Sequence, residues 1–280
     1  MSDTIIVGVA DAAASRPALD WAAQRARDTG AHLVLVAVVG GAVGAVGEAD
    51  LVARVSASTR ESLDAIAAPL RATGVEVTVR VDAGDPIAVL VDASRSAGLL
   101  VIGGEPRAHG RRGQHGARIA AGAHCPVVVV PTAGEATDGA ERRGVVVGVD
   151  GSEVSDAAIE FAAVEAERLG EPLVMVSAWM PIAVPGDFGV YPDLYLTDLA
   201  GVTQSAMDRV VDGVRSRHPS VEVTTHVGEG DPALVIVDAA RTARLAVVGS
   251  HGRGAFARFL LGSVSEEVVA QLVCATAVVR

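Results

Sequence analysis

Residues 145–152 read Val-Val-Val-Gly-Val-Asp-Gly-Ser, and residues 5–9 read Ile-Ile-Val-Gly-Val, the same apolar run around the same glycine 140 positions earlier. The register then holds. Trp21-Ala22-Ala23 stands against Phe161-Ala162-Ala163, Gly30 against Gly170, and Leu33–Val36 against Leu173–Val176. Further on the offset widens to 146, pairing Gly84-Asp85-Pro86 with Gly230-Asp231-Pro232 and Val91-Asp92-Ala93 with Val237-Asp238-Ala239. Two fused copies of one domain follow, each of ordinary domain size. The join falls in Thr132–Arg143, a Gly-, Ala- and charge-rich stretch between valine runs, which puts the domains at 1–137 and 138–280.

Each copy alternates short apolar runs with longer amphipathic ones. In the second copy the runs Val145–Val149, Leu173–Ala178, Val221–Val227, Leu245–Val248 and Ala275–Val279 predict strands. Helices are predicted between them at Val154–Leu169, Leu196–Arg217, Pro232–Thr242 and Gly262–Leu272. Near-continuously apolar strands separated by helices predict an α/β fold with a mostly parallel five-stranded sheet, covered on both faces and joined by right-handed crossovers. In such sheets ligands bind beyond the carboxyl ends of the strands, where strand order reverses. The residues following the first and fourth strands are therefore the candidate site.

Composition narrows the function. Hydrophobic residues make up 50 % of the 280-residue chain and aromatics 3 %, so the core is built from Val, Ala, Leu and Ile, and disorder is excluded. With Lys+Arg 23 against Asp+Glu 34, the net charge of −11 repels a phosphate backbone, and no nucleic-acid-binding motif is present. The chain contains no lysine, which excludes a P-loop lysine, a Schiff-base lysine and a protein-kinase strand lysine. Cys125 and Cys274 fall at matching places in the two copies and read as buried free thiols. No apolar stretch reaches the ~18 residues of a membrane span, and the N-terminus lacks an export signal, so a soluble cytoplasmic protein is expected.

After the fourth strand of the second copy comes Gly249-Ser250-His251-Gly252, then Arg253–Leu261, then Gly262-Ser263-Val264-Ser265. Gly249 and Gly252 let backbone approach a ligand with no Cβ in the way. Gly262-Ser263 opens a helix, whose free N–H groups and positive dipole end suit an anion. Ser263 and Ser265 add hydroxyl donors, and Arg253 and Arg258 positive charge. The competing reading is a glycine-rich turn in which Ser263 caps the helix.

This pattern resembles the nucleotide-binding signature of the universal stress proteins. Val147-Gly148-Val149-Asp150-Gly151-Ser152, with Ser155 after it, is similar to that family's opening strand and turn, and Gly230-Asp231-Pro232 and Leu245–Gly254 match its later landmarks. The resemblance spans both copies. It implies two tandem Rossmann-like domains, related to the adenine-nucleotide α-hydrolases, packed as an internal pseudo-dimer through their last strands (Val127–Val130 and Ala277–Val279). A further homodimer stays open. It implies an ATP, ADP or AMP ligand, with Mg²⁺. Val149, Asp150 and Ala178 would line the adenosine end, Ala178 through its backbone. Gly151, Ser152, Val248, Gly249, His251, Gly252, Arg253, Gly262, Ser263, Val264 and Ser265 complete the expected cofactor site. Asp150 is the candidate metal ligand; its alternative role is to cap the following helix.

The first copy departs from the pattern. Gly103-Gly104-Glu105-Pro106 puts proline, which has no N–H, at the second glycine, and Glu105 where a phosphate would lie. Gly113-Gln114 replaces Gly262-Ser263, and Ala10 replaces Asp150, with Asp11 one place late. Nucleotide is expected mainly in the second copy. Arg107, Arg111, Arg112 and Arg118 read as a solvated basic loop. Gly84-Asp85-Pro86 and Gly230-Asp231-Pro232 read as helix starts, Asp capping and Pro at the first helical position. Met180–Asp198, with Phe188, Tyr191 and Tyr195, covers the sheet or forms a lid. No catalytic residue is assigned. The expected function is an ATP-binding stress or regulatory factor with an unidentified protein partner; a slow ATPase and a nucleotide-independent scaffold are the alternatives.

Overall fold

A computed structural model of the chain describes residues 3–40, 48–105, 115–132, 142–180, 194–252 and 260–280. Its contacts divide it into two units, one built on Met1–Thr137 and the other on Asp138–Arg258 and Gly262–Arg280.

The first unit runs β1 (Thr4–Gly8), α1 (Arg16–Thr29), β2 (His32–Val39), α2 (Glu48–Ala72), β3 (Val77–Ala83), α3 (Pro86–Ala93), β4 (Leu99–Gly103), α4 (His115–Gly122) and β5 (Val127–Val130). Within it the strands lie in the order β3-β2-β1-β4-β5, every pair parallel. The second unit runs β6 (Val145–Gly148), α5 (Glu153–Leu169), β7 (Leu173–Trp179), α6 (Leu194–Arg217), β8 (Val223–Glu229), α7 (Pro232–Ala240), β9 (Leu245–Gly249), α8 (Ser263–Gln271) and β10 (Ala275–Val279). Its strands repeat the arrangement as β8-β7-β6-β9-β10, again all parallel. In each unit the chain builds outward from the first strand on one side and returns to build on the other, which leaves a crevice at the carboxyl ends of β1 and β4, and of β6 and β9.

The central strands are buried along nearly their whole length, as their valine and isoleucine content predicts: β4 and β9 are each closed to solvent except at the terminal glycine. Helices α1 and α5 face the sheet with alanines at helical spacing, Ala18, Ala22 and Ala26 in one and Ala158, Ala162 and Ala166 in the other, all at most 2 % exposed. Small side chains let helix and strand backbones approach closely, so a core poor in aromatics is closed by alanine and β-branched residues. Glycine matters where α7 crosses the strands: a Cβ on Gly148 would meet Ile236 Cδ1 of α7 at 2.6 Å, and one on Gly228 would meet Val235 Cγ1 at 2.6 Å.

Helix starts are sharper than sequence periodicity indicates. Ser152, not Asp150, is the N-cap of α5, its Oγ accepting from Ser155 N–H. Asp85 and Asp231 cap α3 and α7, each with proline following, which is the helix-start reading of both Gly-Asp-Pro motifs. Helix α7 ends at Ala240, two residues before the expected Thr242. Of the segment 180–198, residues 181–193 lie outside those described, Phe188 and Tyr191 among them; Tyr195 falls in the first turn of α6. No helix among the described residues is long and apolar enough to cross a membrane.

Candidate functional site

The crevice of the second unit begins where β6 stops. Val149 N–H still donates to Val176 C=O at 2.7 Å, and the chain then turns away at Gly151, whose φ of +76° suits glycine. In a parallel ladder alternate residues bond to alternate neighbours. Val176 faces β6, whereas Trp179, whose C=O accepts from Gly230 N–H at 2.9 Å, faces β8. Ala178 therefore turns its N–H and C=O to the β6 side, past the point where β6 has ended.

A cavity of 460 Å³ opens there. Val149, Val176, Ala178 and Val248 wall one end, joined by Pro232 and Ile236 of α7. Asp150, Gly249, His251, Gly252 and the first turn of α8, Gly262 to Ser265, form the other. Eleven of the residues expected from sequence thus come together: Val149, Asp150, Ala178, Val248, Gly249, His251, Gly252, Gly262, Ser263, Val264 and Ser265. Gly151 and Ser152 do not reach the cavity lining; one makes the turn and the other caps α5. Arg253 and Arg258 lie outside the described residues.

Asp150 is held by that cap. Its Oδ1 accepts from Ser152 N–H at 3.0 Å and Ser152 Oγ–H at 2.7 Å, and its own N–H donates to Ser155 Oγ at 3.3 Å. The second oxygen, Oδ2, lies against the glycine loop, where a Cβ on Gly252 would collide with it. This glycine is required by the carboxylate opposite.

The loop is fixed by two serines. Ser250, 1 % exposed, donates its N–H to Val279 C=O at 2.6 Å and accepts at its C=O from Gly262 N–H at 2.8 Å. Its Oγ pairs with His251 Nδ1 at 2.9 Å. Ser265 Oγ donates to Gly249 C=O at 2.7 Å. The Ser265 hydroxyl proton is thereby committed to the protein, which corrects its expected role as a ligand donor; the bond ties the start of α8 to the end of β9.

Helix α8 begins with Gly262 at the N-cap and Ser263 at the first helical position, so Ser263 is not the cap. No side chain caps this helix, unlike α3, α5 and α7. Of the four N–H groups that a helix start leaves without an intrahelical partner, Gly262 N–H is taken by Ser250 C=O; those of Ser263, Val264 and Ser265 have no partner among the described residues and belong to residues lining the cavity. Together with the dipole they make a positive end opposite the apolar one.

Both thiols are remote from this chemistry. Cys125 and Cys274 are buried, and burial pushes each up to about 12, far from the range of a reactive thiolate. Among the described residues no cluster of three or more His, Cys, Asp or Glu side chains could hold a metal ion.

The first unit differs at the corresponding place. Ala10 N–H donates to Ser15 Oγ as Asp150 does to Ser155, but Asp11 Oδ1 is bonded to the N–H groups of Ala13 and Ala14, 2.9 and 3.0 Å away, and leads into α1. Glu105 stands at the end of β4, its carboxylate in contact with His115 Nδ1. Pro106, Arg107, Arg111, Arg112, Gly113 and Gln114 lie outside the described residues; Arg118 is in α4.

The sequence matches the universal stress protein family twice, over residues 1–131 and 141–280. The chain belongs to the universal stress protein family. It is similar to a universal stress protein of Mycobacterium tuberculosis, 34 % identical over 96 % of this chain and 93 % of that one. It is also similar to one of Mycolicibacterium smegmatis, 32 % identical over 99 % of this chain and 96 % of the relative. Among solved structures, a universal stress protein of Archaeoglobus fulgidus shares the fold with a TM-score of 0.73, at 20 % identity and covering 99 % of this chain and 98 % of its own.

Sequence reasoning missed Gly148, Ser155, Val176, Pro232 and Ile236 as cavity walls and Ser250 as the loop's anchor. Gly148 carried a usable signal, because a glycine inside an apolar strand marks close approach by another element, and here that element is Ile236 of α7.

Proposed function

We propose that the second unit binds an adenine nucleotide, ATP or its products ADP and AMP, and that this universal stress protein acts as a stress or regulatory factor whose state depends on that ligand. The observation that carries the reading is the first turn of α8. Its three free N–H groups face a cavity whose opposite end is apolar and bordered by a backbone donor and acceptor at Ala178. A planar heterocycle with both donor and acceptor edges suits Ala178 N–H and C=O, with Val149, Val176 and Ile236 against its faces. Phosphate oxygens suit the N–H groups of Ser263, Val264 and Ser265, with Ser263 Oγ as a further donor.

The residues present fit a magnesium ion carried in with the phosphates. Such ions are held by one or two carboxylates together with phosphate oxygens, and Asp150 offers Oδ2 while Ser152 holds Oδ1 in place. The ion would neutralise phosphate charge. The protein groups at this end bind and orient: backbone donors, hydroxyls and a carboxylate already hydrogen-bonded. That set favours a nucleotide kept and sensed over one rapidly turned over, and the regulatory partner reads whether the cavity is filled.

The test is denaturing extraction of freshly purified protein, with released nucleotides separated and counted per chain, alongside Ser263→Asp and Ser263→Ala. About one adenine nucleotide per chain is expected, and its ADP and AMP fraction measures hydrolysis. An aspartate at the first position of α8 faces the phosphates at close range and should weaken binding at least about a hundredfold, whereas alanine removes one hydroxyl and costs about tenfold or less. Absence of nucleotide, with no rise in melting temperature on adding Mg-ATP, refutes the proposal.

A further inference from the structure

The first unit has a cavity of its own, 370 Å³, at the carboxyl ends of β1 and β4. Its apolar end repeats that of the second unit position by position: Val9 for Val149, Val36 for Val176, Pro86 for Pro232, Leu90 for Ile236 and Ile102 for Val248. Val38 takes the place of Ala178, and its backbone is turned the same way. Val9 N–H donates to Val36 C=O at 2.8 Å, and Val39 C=O accepts from Gly84 N–H at 3.1 Å, so Val36 faces β1 and Val39 faces β3. Val38 N–H and C=O therefore point past the end of β1 on its side, a donor and acceptor at the edge of an apolar slot.

The other end is rearranged: each cavity carries one carboxylate and one histidine, but the carboxylate moves from the first strand's end, at Asp150, to the fourth strand's end, at Glu105. Ala10 stands where the second unit has Asp150, Glu105 where it has His251, and Gly116 where it has Ser265. The register is secure, because Gly104 N–H donates to Val130 C=O just as Ser250 N–H donates to Val279 C=O, each at 2.6 Å. The Glu105 carboxylate and the His115 ring touch one another on the wall of this cavity, with the Glu105 side chain 29 % exposed. A carboxylate there accepts hydrogen bonds and opposes negative charge. At close range and partial burial, each phosphate charge brought beside it costs about tenfold in affinity or more.

We infer that the first unit's cavity binds a purine nucleoside without phosphate, its base edge read by Val38 N–H and C=O and its ribose hydroxyls donating to Glu105. The choice of a purine rests on the adenine reading of the second unit. The exclusion of phosphate rests on Glu105.

Isoleucine methyl resonances test the two units separately in the intact chain, because Ile87, Ile102 and Ile119 line the first cavity and Ile236 the second. Ile5 and Ile159, outside both linings, are controls. Adenosine should shift the three first-unit methyls saturably, while ATP shifts Ile236 and leaves those three unmoved at the same concentration. Glu105→Gln keeps the shape and removes the charge; it should tighten AMP binding in the first unit about tenfold or more and leave adenosine within a few-fold. First-unit methyls indifferent to adenosine overturn the inference, whatever Ile236 does. So does an equal response to ATP and adenosine, or AMP exclusion unchanged in Glu105→Gln. An Ile236 methyl indifferent to ATP is a different result and counts against the adenine reading of the second unit alone.

Discussion

Replacing Gly252 by alanine tests the geometry of the proposed phosphate end most directly, because the new Cβ and Asp150 Oδ2 cannot occupy their present positions together. Either the glycine loop gives way or Asp150 rotates off Ser152. The second route forfeits the bonds from Ser152 N–H and Oγ–H, 3.0 and 2.7 Å long. Hydrogen bonds to a charged acceptor are worth about 1.5 kcal/mol or more each, so the full loss is about 3 kcal/mol and partial relaxation leaves about 1–2. For a unit of this size that is a fall in melting temperature of roughly 3–8 °C. Unfolding by urea in a Trp21→Phe background, with Trp179 of β7 reporting the second unit, gives the stability change. Asp150→Ala removes the obstacle, so Gly252→Ala should cost little in its presence, and the double-mutant cycle should show a coupling of about 1 kcal/mol or more. ATP affinity should fall in both single variants, since each moves the carboxylate or the loop. Additive stability effects, or a Gly252→Ala protein as stable as the parent, would show that the carboxylate and the loop are not in contact in the folded protein.

Two further outcomes follow from charges outside the cavity. The Ser220 hydroxyl, and after it His218, hydrogen-bond Glu167 and hold its carboxyl below the usual carboxylate range. A depressed carboxyl contributes stability that is present above its unfolded value and lost as pH falls through the folded one. The urea midpoint of wild type over Glu167→Gln should therefore show an advantage at pH 7 that disappears in the acid limb below about pH 4; an advantage that grows on acidification contradicts the assignment. Glu165, 0 % exposed, is paired with Arg168 at 2.8 Å on the next turn of α5. Arg168→Ala strips a buried carboxylate of this cation and should cost about 3 kcal/mol in urea titration, whereas replacing both residues with leucine should cost much less; similar costs for the two would place the pair in water rather than in the core.

What the sequence made legible, and what it did not, divides along a physical line. Strands buried on both faces must be apolar throughout, so Val145–Val149 and Leu245–Val248 announced themselves, and duplication confirmed the reading wherever the two copies agreed. The glycines were legible too, because positions that tolerate no Cβ have few substitutes: Gly252 is dictated by Asp150 Oδ2, and Gly148 by Ile236. Hydroxyl groups were not. Asp150-Gly151-Ser152 contains two residues able to cap α5, and only the left-handed turn at Gly151 decides that Ser152 caps while Asp150 faces the loop. Ser263 and Ser265 look equivalent in sequence. Yet Ser265 is buried and bonded to Gly249 C=O, a carbonyl 16 residues away, which leaves Ser263 exposed at the helix start. A hydroxyl's role is set by whichever carbonyl the fold brings beside it, and that information is tertiary. The same holds for Glu105. In sequence it is one of several departures from a phosphate loop. Its place on the wall of a cavity that keeps its apolar end is what makes it, in our proposal, the acceptor that selects an uncharged ligand over a phosphorylated one.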